Sequence, residues 1–293
     1  MTLPFEMPSR RREIGPEAFG RIAAALRREA GIALAPEKVA LVHGRLSRRV
    51  RTLALDGFEA YCDLIESREG AAELRAMVNA LTTNVTRFFR EPHHFKELRE
   101  DTLPRLVAAA RAGAPATIWS AGCSTGEEPY SIALCLLDLA PDAAALGIRI
   151  LATDLNPVVL ETGRRGVYLA EALEPAPGAL VRGRFEAAPP GADGAPRLRA
   201  GEALRALIAF KRLNLVGPWP FTRAFDAIFC RNVLIYFDSP TQDEVLRRFA
   251  GATAEGGRLF LGHSERLGQA STQLFDRGGV TSYIRNAKPA PAV

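Results

Sequence analysis

Gly122 and Gly126 bracket a loop of small residues, and Glu127 and Glu128 follow at once, in the stretch "IWSAGCSTGEEPYSIA" from Ile118 to Ala133. An apolar run that turns through glycine into a helical pattern is a common way to build a cofactor cradle, because the first N–H groups of a helix have no partner inside it. Such cradles usually serve phosphate. Here two carboxylates stand where phosphate would have to sit, and like charges repel. The expected ligand is therefore cationic or carries an ammonium group.

Further residues of the same kind follow at intervals. Asp154 lies 28 residues beyond Gly126, after the apolar run "GIRILAT". Asn214 follows "ALIAF" and a short polar stretch, while Arg231 and Asn232 follow "FDAIFC". Each apolar run reads as a strand, and in an open α/β sheet ligands bind beyond the carboxyl ends of the strands. An acid after the second strand is the usual partner of two ribose hydroxyls. An Asn amide both donates and accepts, so it can read an adenine edge. Together these residues suit an adenosine compound without phosphate. With Glu127 for an ammonium group, the ligand looks like S-adenosylmethionine. Taken singly, each residue has a plainer reading. The glycines could form a tight turn, Asp154 could cap the next helix, Asn232 could cap backbone, and Phe88 and Phe89 could be core.

The elements that must position these residues follow from the hydrophobic pattern. From about 16 to 82 the spacing is helical. Pro16 and Pro36 can each open a helix, since the missing N–H is not needed there. Phe19, Ile22, Ala23 and Leu26 stripe the first helix, and Val39, Val42, Leu46, Val50 and Leu53 the second. Two shorter helices are expected near 56–67 and 70–82. "LTTNVTRFFREPHHF" (81–95) is rich in Thr and Asn, which favour side-chain-bonded, non-helical backbone. It reads as a linker that ends in a helix over 92–111. Strands and helices alternate after that: strands at 118–120, 147–154, 206–210, 225–230 and 257–263, helices at 127–140, 156–164 and 240–254. "QLFDRGGVTSYIR" reads as two short strands around a Gly-Gly turn. This predicts a parallel sheet covered on both faces. Between Glu174 and Gly201, Pro, Gly and Ala fill 17 of 28 positions, which marks an insertion.

Composition narrows the class. The chain has 293 residues, enough for two domains or one large one, and its 47% hydrophobic content is normal for a protein with a real core. No run of 18 apolar residues occurs and the first residues lack a signal-like segment, so a cytoplasmic protein without membrane insertion is expected. Cys62, Cys123, Cys135 and Cys230 are scattered with no CxxC pair, and read as reduced structural thiols. His93 and His94 are adjacent and diverge on a helix, so no metal site is expected. The formal net charge is +5, yet residues 1–51 alone carry eleven Lys/Arg against five acids, a surplus of six. The basic character therefore belongs to the N-terminal segment.

Several stretches resemble the CheR family, the chemotaxis receptor glutamate methyltransferases. "TTNVTRFFRE" with "HHF", "WSAGCSTGEEPYSIA", "ATDLN", "FDAIFCRNVLIYF" and "GHSE" resemble that family's blocks, in its order, over about 15 to 288. The resemblance implies an N-terminal basic helical domain, here about 1–85 with the start of the linker. It implies a Rossmann-like class I methyltransferase domain over 86–293, with a small subdomain inserted at about 167–205. It implies methyl transfer from S-adenosylmethionine to glutamate side chains of chemoreceptors, giving glutamyl methyl esters and S-adenosylhomocysteine. Carried over by position, the family's cofactor contacts fall on Asn84, Thr86 and Arg90 in the linker and on Glu127 after the first loop, where Gly122 belongs to the cradle. They continue at Asp154, at Asn214 with Leu215, and at Asn232 with Val233. Where many class I methyltransferases carry an acid before the first glycine, this chain has Ser120 and Ala121.

That chemistry asks for little machinery. A glutamate side chain has a pKa of ~4.3 and is ionised at neutral pH, so no general base is required and no catalytic residue is singled out. The site must align carboxylate, methyl and sulfur and limit water. Arg90 and Arg231 lie on segments expected to reach the site, where either could steer the incoming carboxylate; for Arg231 a structural salt bridge is the plainer reading. A nucleic-acid methyltransferase is the first rival. Base amino groups are typically methylated beside an Asn/Asp-Pro-Pro-aromatic turn, whereas the matching place here reads "RNVLIYF". Cytosine C5 chemistry needs a nucleophilic Cys, often after Pro, and no Cys here follows Pro. A scaffold that only senses the cofactor is the second rival; the intact polar residues at every expected contact speak against it. The expected partner is the cytoplasmic helical bundle of a chemoreceptor, docked through Arg45, Arg48 and Arg49 on the outer face of the second helix.

Overall fold

A computed structural model describes residues 13–269 and 271–288. Arg10, Arg11 and Arg12 of the basic N-terminal segment lie outside the described residues. The chain forms two compact units, one of Met1–Thr83 with Tyr236–Asp238 and the other of Asn84–Ile235 with Ser239–Val293.

The first unit is a helical bundle of α1 (Pro16–Ala30), α2 (Val39–Thr52), α3 (Phe58–Glu66) and α4 (Ala71–Leu81). Pro16 occupies the first turn of α1. At its other end Gly31 takes a left-handed backbone and returns its N–H to the Arg27 carbonyl. The apolar stripes are buried as their spacing requires: Phe19, Ile22 and Leu26 on α1, and Val42, Leu46 and Val50 on α2. Tyr61 and Ile65 on α3 and Met77 and Leu81 on α4 complete the core. Phe237 joins this unit through an isolated bridge to Ile32.

The basic face of α2 differs from expectation. Arg49 makes a forked ion pair with Glu73, at 2.5 and 2.6 Å. Tyr61 donates to the same carboxylate at 2.6 Å. Glu73 is only 8% exposed, so a charge there must be paired. Arg45 donates to the carbonyls of Leu81 and Thr82 at 2.8 and 2.9 Å, capping the end of α4. Neither arginine projects freely. Arg48 and Arg51 are the exposed ones.

The second unit opens with α5 (Pro92–Glu97), a π-helical turn over Leu98–Thr102, and α6 (Leu103–Arg111). The expected helix over 92–111 is thus present but distorted. Pro104 has no N–H to donate and its ring crowds the preceding turn, which the wider π turn relieves. The sheet follows with β1 (Thr117–Ala121), α7 (Glu127–Leu139), β2 (Arg149–Asp154) and α8 (Pro157–Arg165). The insertion carries β3 (Val167–Leu169), the one-turn α9 (Gly178–Val181), β4 (Phe185–Ala188) and β5 (Arg197–Ala200). After it come α10 (Glu202–Leu207), β6 (Ile208–Arg212), β7 (Phe225–Cys230), α11 (Ser239–Ala252), β8 (Thr253–Leu261), β9 (Phe275–Arg277) and β10 (Ser282–Arg285).

The main sheet has the order β6-β2-β1-β7-β8-β10-β9. The five strands from β6 to β8 are parallel, but β10 runs antiparallel to both β8 and β9, so the sheet is mixed and not purely parallel. The short Gly278–Gly279 turn can join only antiparallel neighbours. The chain builds outward from β1 through β2 to β6, then returns to lay β7 on β1's other side. That reversal makes a crevice at the carboxyl ends of β1 and β7. Helix α7 is buried over Glu128–Leu137, the centre of the core. In the insertion, β3, β5 and β4 form a separate antiparallel sheet. Tyr168 of β3 anchors it to the cradle loop, its hydroxyl donating to the Thr125 carbonyl at 2.8 Å.

The Arg49–Glu73 pair sets one expectation. Burial pushes the Glu73 carboxyl up, but the Arg49 and Tyr61 hydrogen bonds outweigh it and hold the group below the usual carboxylate range. A depressed carboxyl stabilises the fold above its unfolded pKa and loses that contribution as pH falls through its folded value. Arg49→Met should cost the first unit about 2 kcal/mol at pH 7, the scale of hydrogen bonds to a charged group. Thermal melts across pH should show the gap from wild type narrowing below pH ~4. A gap independent of pH would exclude this pair as its source.

Candidate functional site

The cradle begins where β1 ends. Gly122 and Cys123 both donate to the Thr153 carbonyl of β2, at 2.8 and 2.9 Å, which turns the chain back over the sheet edge. Ser124 follows with φ +50°, unusual for a residue with a side chain. Its hydroxyl donates to the Asn84 carbonyl at 2.8 Å, which ties the linker to the loop. Gly126, at φ +100°, starts α7. A Cβ there would lie 2.8 Å from the Tyr168 hydroxyl and 3.0 Å from Gly163 Cα, so only glycine fits this close approach.

Asp154 ends β2 beneath that loop. Its Oδ2 accepts from the Ser124 N–H and its Oδ1 from the Asn156 N–H, each at 2.9 Å. It does not cap α8; Asn156 does, accepting from the Val158 N–H. Burial pushes the Asp154 carboxyl up and the backbone donors pull it back, with a net rise. A carboxylate offers about four acceptor directions, so it retains capacity for hydroxyl donors. Asn214 and Leu215 lie close by, since Leu213 donates to the Asp154 carbonyl at 3.0 Å. Asn214 Oδ1 accepts from the Val216 N–H, and Leu215 is buried.

The two acids after the loop part company. Glu128 turns into the core, where Arg231 Nε donates to it at 2.7 Å and the Ser120 hydroxyl at 2.6 Å. Arg231 is buried and also donates to the Arg90 carbonyl at 2.6 Å. It is therefore a structural cation and cannot swing out to steer a substrate. Its Nη1 also faces His94 Nδ1 at 3.1 Å. His94 Nε2 lies 3.0 Å from both the Val280 carbonyl and the Thr281 hydroxyl. Burial, and then the Arg231 charge, push the His94 pKa down to about 4, so the ring is neutral with its proton on Nε2.

Glu127 has no such partner. The Thr125 hydroxyl donates to its Oε2 at 2.7 Å, and among the described residues no basic side chain contributes to its surroundings. Burial raises its pKa, with only the Thr125 bond and its own backbone opposing. An anion so enclosed and so poorly compensated suits a ligand's ammonium group, the part of S-adenosylmethionine the residue types anticipate.

The linker and the turn after β7 close the remaining sides. Phe89 and Glu91 both take positive φ, at +51° and +59°, and Phe89 N–H donates to the Ser131 hydroxyl of α7 at 3.0 Å. Phe88 and Phe89 are core. Thr86 is half-buried, and Arg90 donates to the Val85 carbonyl at 2.9 Å. Val233 packs on the cradle so tightly that a Cβ on Gly122 would come within 2.4 Å of its Cγ2. Asn232 Nδ2 meets Glu91 Oε1 at 3.4 Å. Apart from Thr86, the expected site residues thus gather at the carboxyl ends of β1, β2, β6 and β7. Reading by residue type missed Glu91, Tyr168 and Glu265. Glu91 and Glu265 each close a quoted block, "FFRE" and "GHSE", and that position was their only signal.

The comparisons with known proteins bear on the whole chain. The CheR methyltransferase SAM binding domain matches residues 84–284, and the CheR methyltransferase all-alpha domain matches residues 17–82. A probable chemotaxis protein methyltransferase of Rhizobium etli is 47% identical over 89% of this chain and 96% of its own length. A chemotaxis protein methyltransferase of Klebsiella aerogenes is 42% identical over 89% and 87%. Chemotaxis protein methyltransferase 2 of Pseudomonas aeruginosa is 43% identical over 87% and 88%. With both of its units matched in order, the chain belongs to the CheR methyltransferase family and is an S-adenosylmethionine-dependent methyltransferase.

Proposed function

We propose that Glu127, Asp154, Asn84, Thr86, Arg90, Gly122, Asn214, Leu215, Asn232 and Val233 hold S-adenosylmethionine. From that site the enzyme methylates glutamate side chains of chemoreceptors, producing glutamyl methyl esters for sensory adaptation. The observation that carries the residue assignment is Glu127, a half-buried carboxylate that accepts from the Thr125 hydroxyl and has no cation beside it among the described residues. Asp154 supports it with spare acceptor capacity beside the cradle.

The bound cofactor supplies an activated methyl group on a positively charged sulfur. That methyl would pass to a carboxylate oxygen of the receptor glutamate, and the sulfur would leave as the neutral thioether of S-adenosylhomocysteine. Opposite charges cancel along this path, so a poorly hydrated site favours it. The chain's own work is to bind, align and exclude water. The one buried histidine nearby, His94, is neutral and committed to Arg231, Val280 and Thr281. That agrees with a reaction that needs no base.

Three outcomes are expected for the cofactor. Glu127→Gln should weaken S-adenosylmethionine binding about tenfold or more, the scale of a lost charge-assisted bond, without lowering the melting temperature. Wild-type affinity should fall with acidity at a pH above the usual carboxylate range, because the ligand takes the ionised form of a group whose pKa is raised. Asp154→Ala should also weaken binding, by about 2 kcal/mol. Calorimetry that finds normal affinity for Glu127→Gln, with only an earlier melt, would reduce Glu127 to a helix-dipole partner.

The receptor is recognised, in this reading, by the exposed side of α2 in its cytoplasmic compartment. No helix of the described residues is long and apolar enough to cross a membrane. Because Arg45 and Arg49 serve the bundle itself, Arg48 and Arg51 are the free cations for an acidic helical partner. Exposed charges act over a Debye length of ~8 Å at physiological salt and mainly raise the association rate. Reversing Arg48 and Arg51 to Glu should slow receptor methylation several-fold at low salt and little at high salt, with cofactor affinity unchanged. Equal rates for wild type and variant at low salt would move the docking surface elsewhere.

A further inference from the structure

Glu265 lies just beyond β8 and is 4% exposed. Among the described residues, no basic side chain pairs with its carboxylate. Four backbone N–H groups surround it instead. Oε1 accepts from Val233 at 2.9 Å and Ile235 at 3.4 Å. Oε2 accepts from Asn232 at 2.9 Å and Gly262 at 2.6 Å. Asn232 stands at φ +59°, a left-handed conformation that carries strain in a residue with a side chain. Consecutive N–H groups folded into a concavity of this kind form an anion-binding nest. Here the anion is part of the chain. Gly262 allows the approach, because a Cβ there would come within 2.7 Å of both Glu265 Oε2 and Asn232 Nδ2.

We infer that Glu265 is a positioning residue for methyl transfer: by filling the nest it holds the Asn232–Val233 turn in the strained conformation that presents these two residues to the cofactor. The inference rests on the proposed cofactor contacts of Asn232 and Val233. Glu265 touches neither cofactor nor substrate in this role; it acts through the turn. The charge is needed because only a carboxylate has two oxygens that both accept and neither of which donates. An amide of the same shape, in either orientation, would aim an NH2 group at two of the four N–H donors. The turn would then lose two charge-assisted bonds and gain a clash of donors.

The experiment compares Glu265→Gln, Glu265→Asp and Asn232→Ala, each well below its melting temperature. Steady-state methylation is measured with S-adenosylmethionine and receptor varied separately, and backbone hydrogen exchange is followed over 231–236. Glu265→Gln should raise the KM for S-adenosylmethionine about tenfold or more, leave the KM for receptor within twofold, and accelerate exchange at the turn. Glu265→Asp keeps the charge but withdraws it by one methylene, and should show a smaller rise of the same kind; it carries the test if Glu265→Gln does not fold. Asn232→Ala should raise the same KM with Glu265 in place. A normal cofactor KM for Asn232→Ala would overturn the contact assigned to Asn232 and, with it, the inference that Glu265 presents both residues to the cofactor. If Asn232→Ala impairs cofactor binding while both Glu265 variants keep a normal cofactor KM, the positioning role is overturned and the site assignment stands. A Glu265 variant that only melts earlier, with both KM values unchanged, also overturns it and leaves Glu265 a stability residue.

Discussion

Five carboxylates are drawn into the carboxyl end of one sheet: Glu91, Glu127, Glu128, Asp154 and Glu265. Burying negative charge is expensive unless each anion is compensated, and the local backbone is shaped by how that is done. Glu128 takes the Arg231 guanidinium. Glu265 takes four backbone N–H groups, and Asp154 takes those of Ser124, Leu155 and Asn156. Glu91 is held by the backbone and ring of His263, with Arg231 3.9 Å away. Glu127 takes the Thr125 hydroxyl and its own backbone N–H. Glu91 keeps one buried oxygen without a hydrogen bond, and Glu127 has no cation beside it among the described residues, so compensation from within is least complete at these two acids.

Arg231 is the pivot of this arrangement. It pairs with Glu128 on α7, holds the Arg90 carbonyl in the linker and abuts His94 on α5. One buried cation thus joins three separate stretches of chain, and removing it would leave Glu128 uncompensated in the core. Burial, and then the Arg231 charge, keep His94 neutral, which leaves Nδ1 to accept from Arg231 while Nε2 donates to the Val280 carbonyl. The strained backbone at Phe89 and Glu91 is consistent with a linker held by such fixed points on both sides.

Much of this was legible in the sequence because the relevant signals are local. The glycine-bracketed loop, the acid after the second strand and the helical stripes at Val42, Leu46 and Val50 each follow from spacing alone. What escaped depends on contacts between distant segments. The antiparallel edge at β9 and β10 reads as a hairpin, but nothing in the residues says that it joins the main sheet. The π turn before Pro104 is a compromise between proline's missing donor and the packing of Leu98 and Leu103. Glu127 and Glu128 are identical neighbours in sequence, and only the position of Arg231, 103 residues onward, separates their roles. Glu265 is harder still, since its partners are backbone N–H groups, which carry no residue identity.

The same limit governs the N-terminal unit. Counting charge places the basic surplus there, and periodicity places Arg45, Arg48 and Arg49 away from the apolar stripe of α2. Periodicity gives the direction of a side chain from its own helix axis, not what a neighbouring helix brings to it. Glu73 on α4 and the open end of that helix take Arg49 and Arg45 out of the exposed set. An arginine chelated by a buried carboxylate has already exchanged its hydration for an internal partner, and a receptor would have to compete with that bond. Arg48 and Arg51 have made no such exchange, so the electrostatic field offered to a partner by α2 comes from half of its basic residues near the C-terminal end. A surface read from net charge alone therefore overstates what is available for binding, and the excess is the part that the fold consumes.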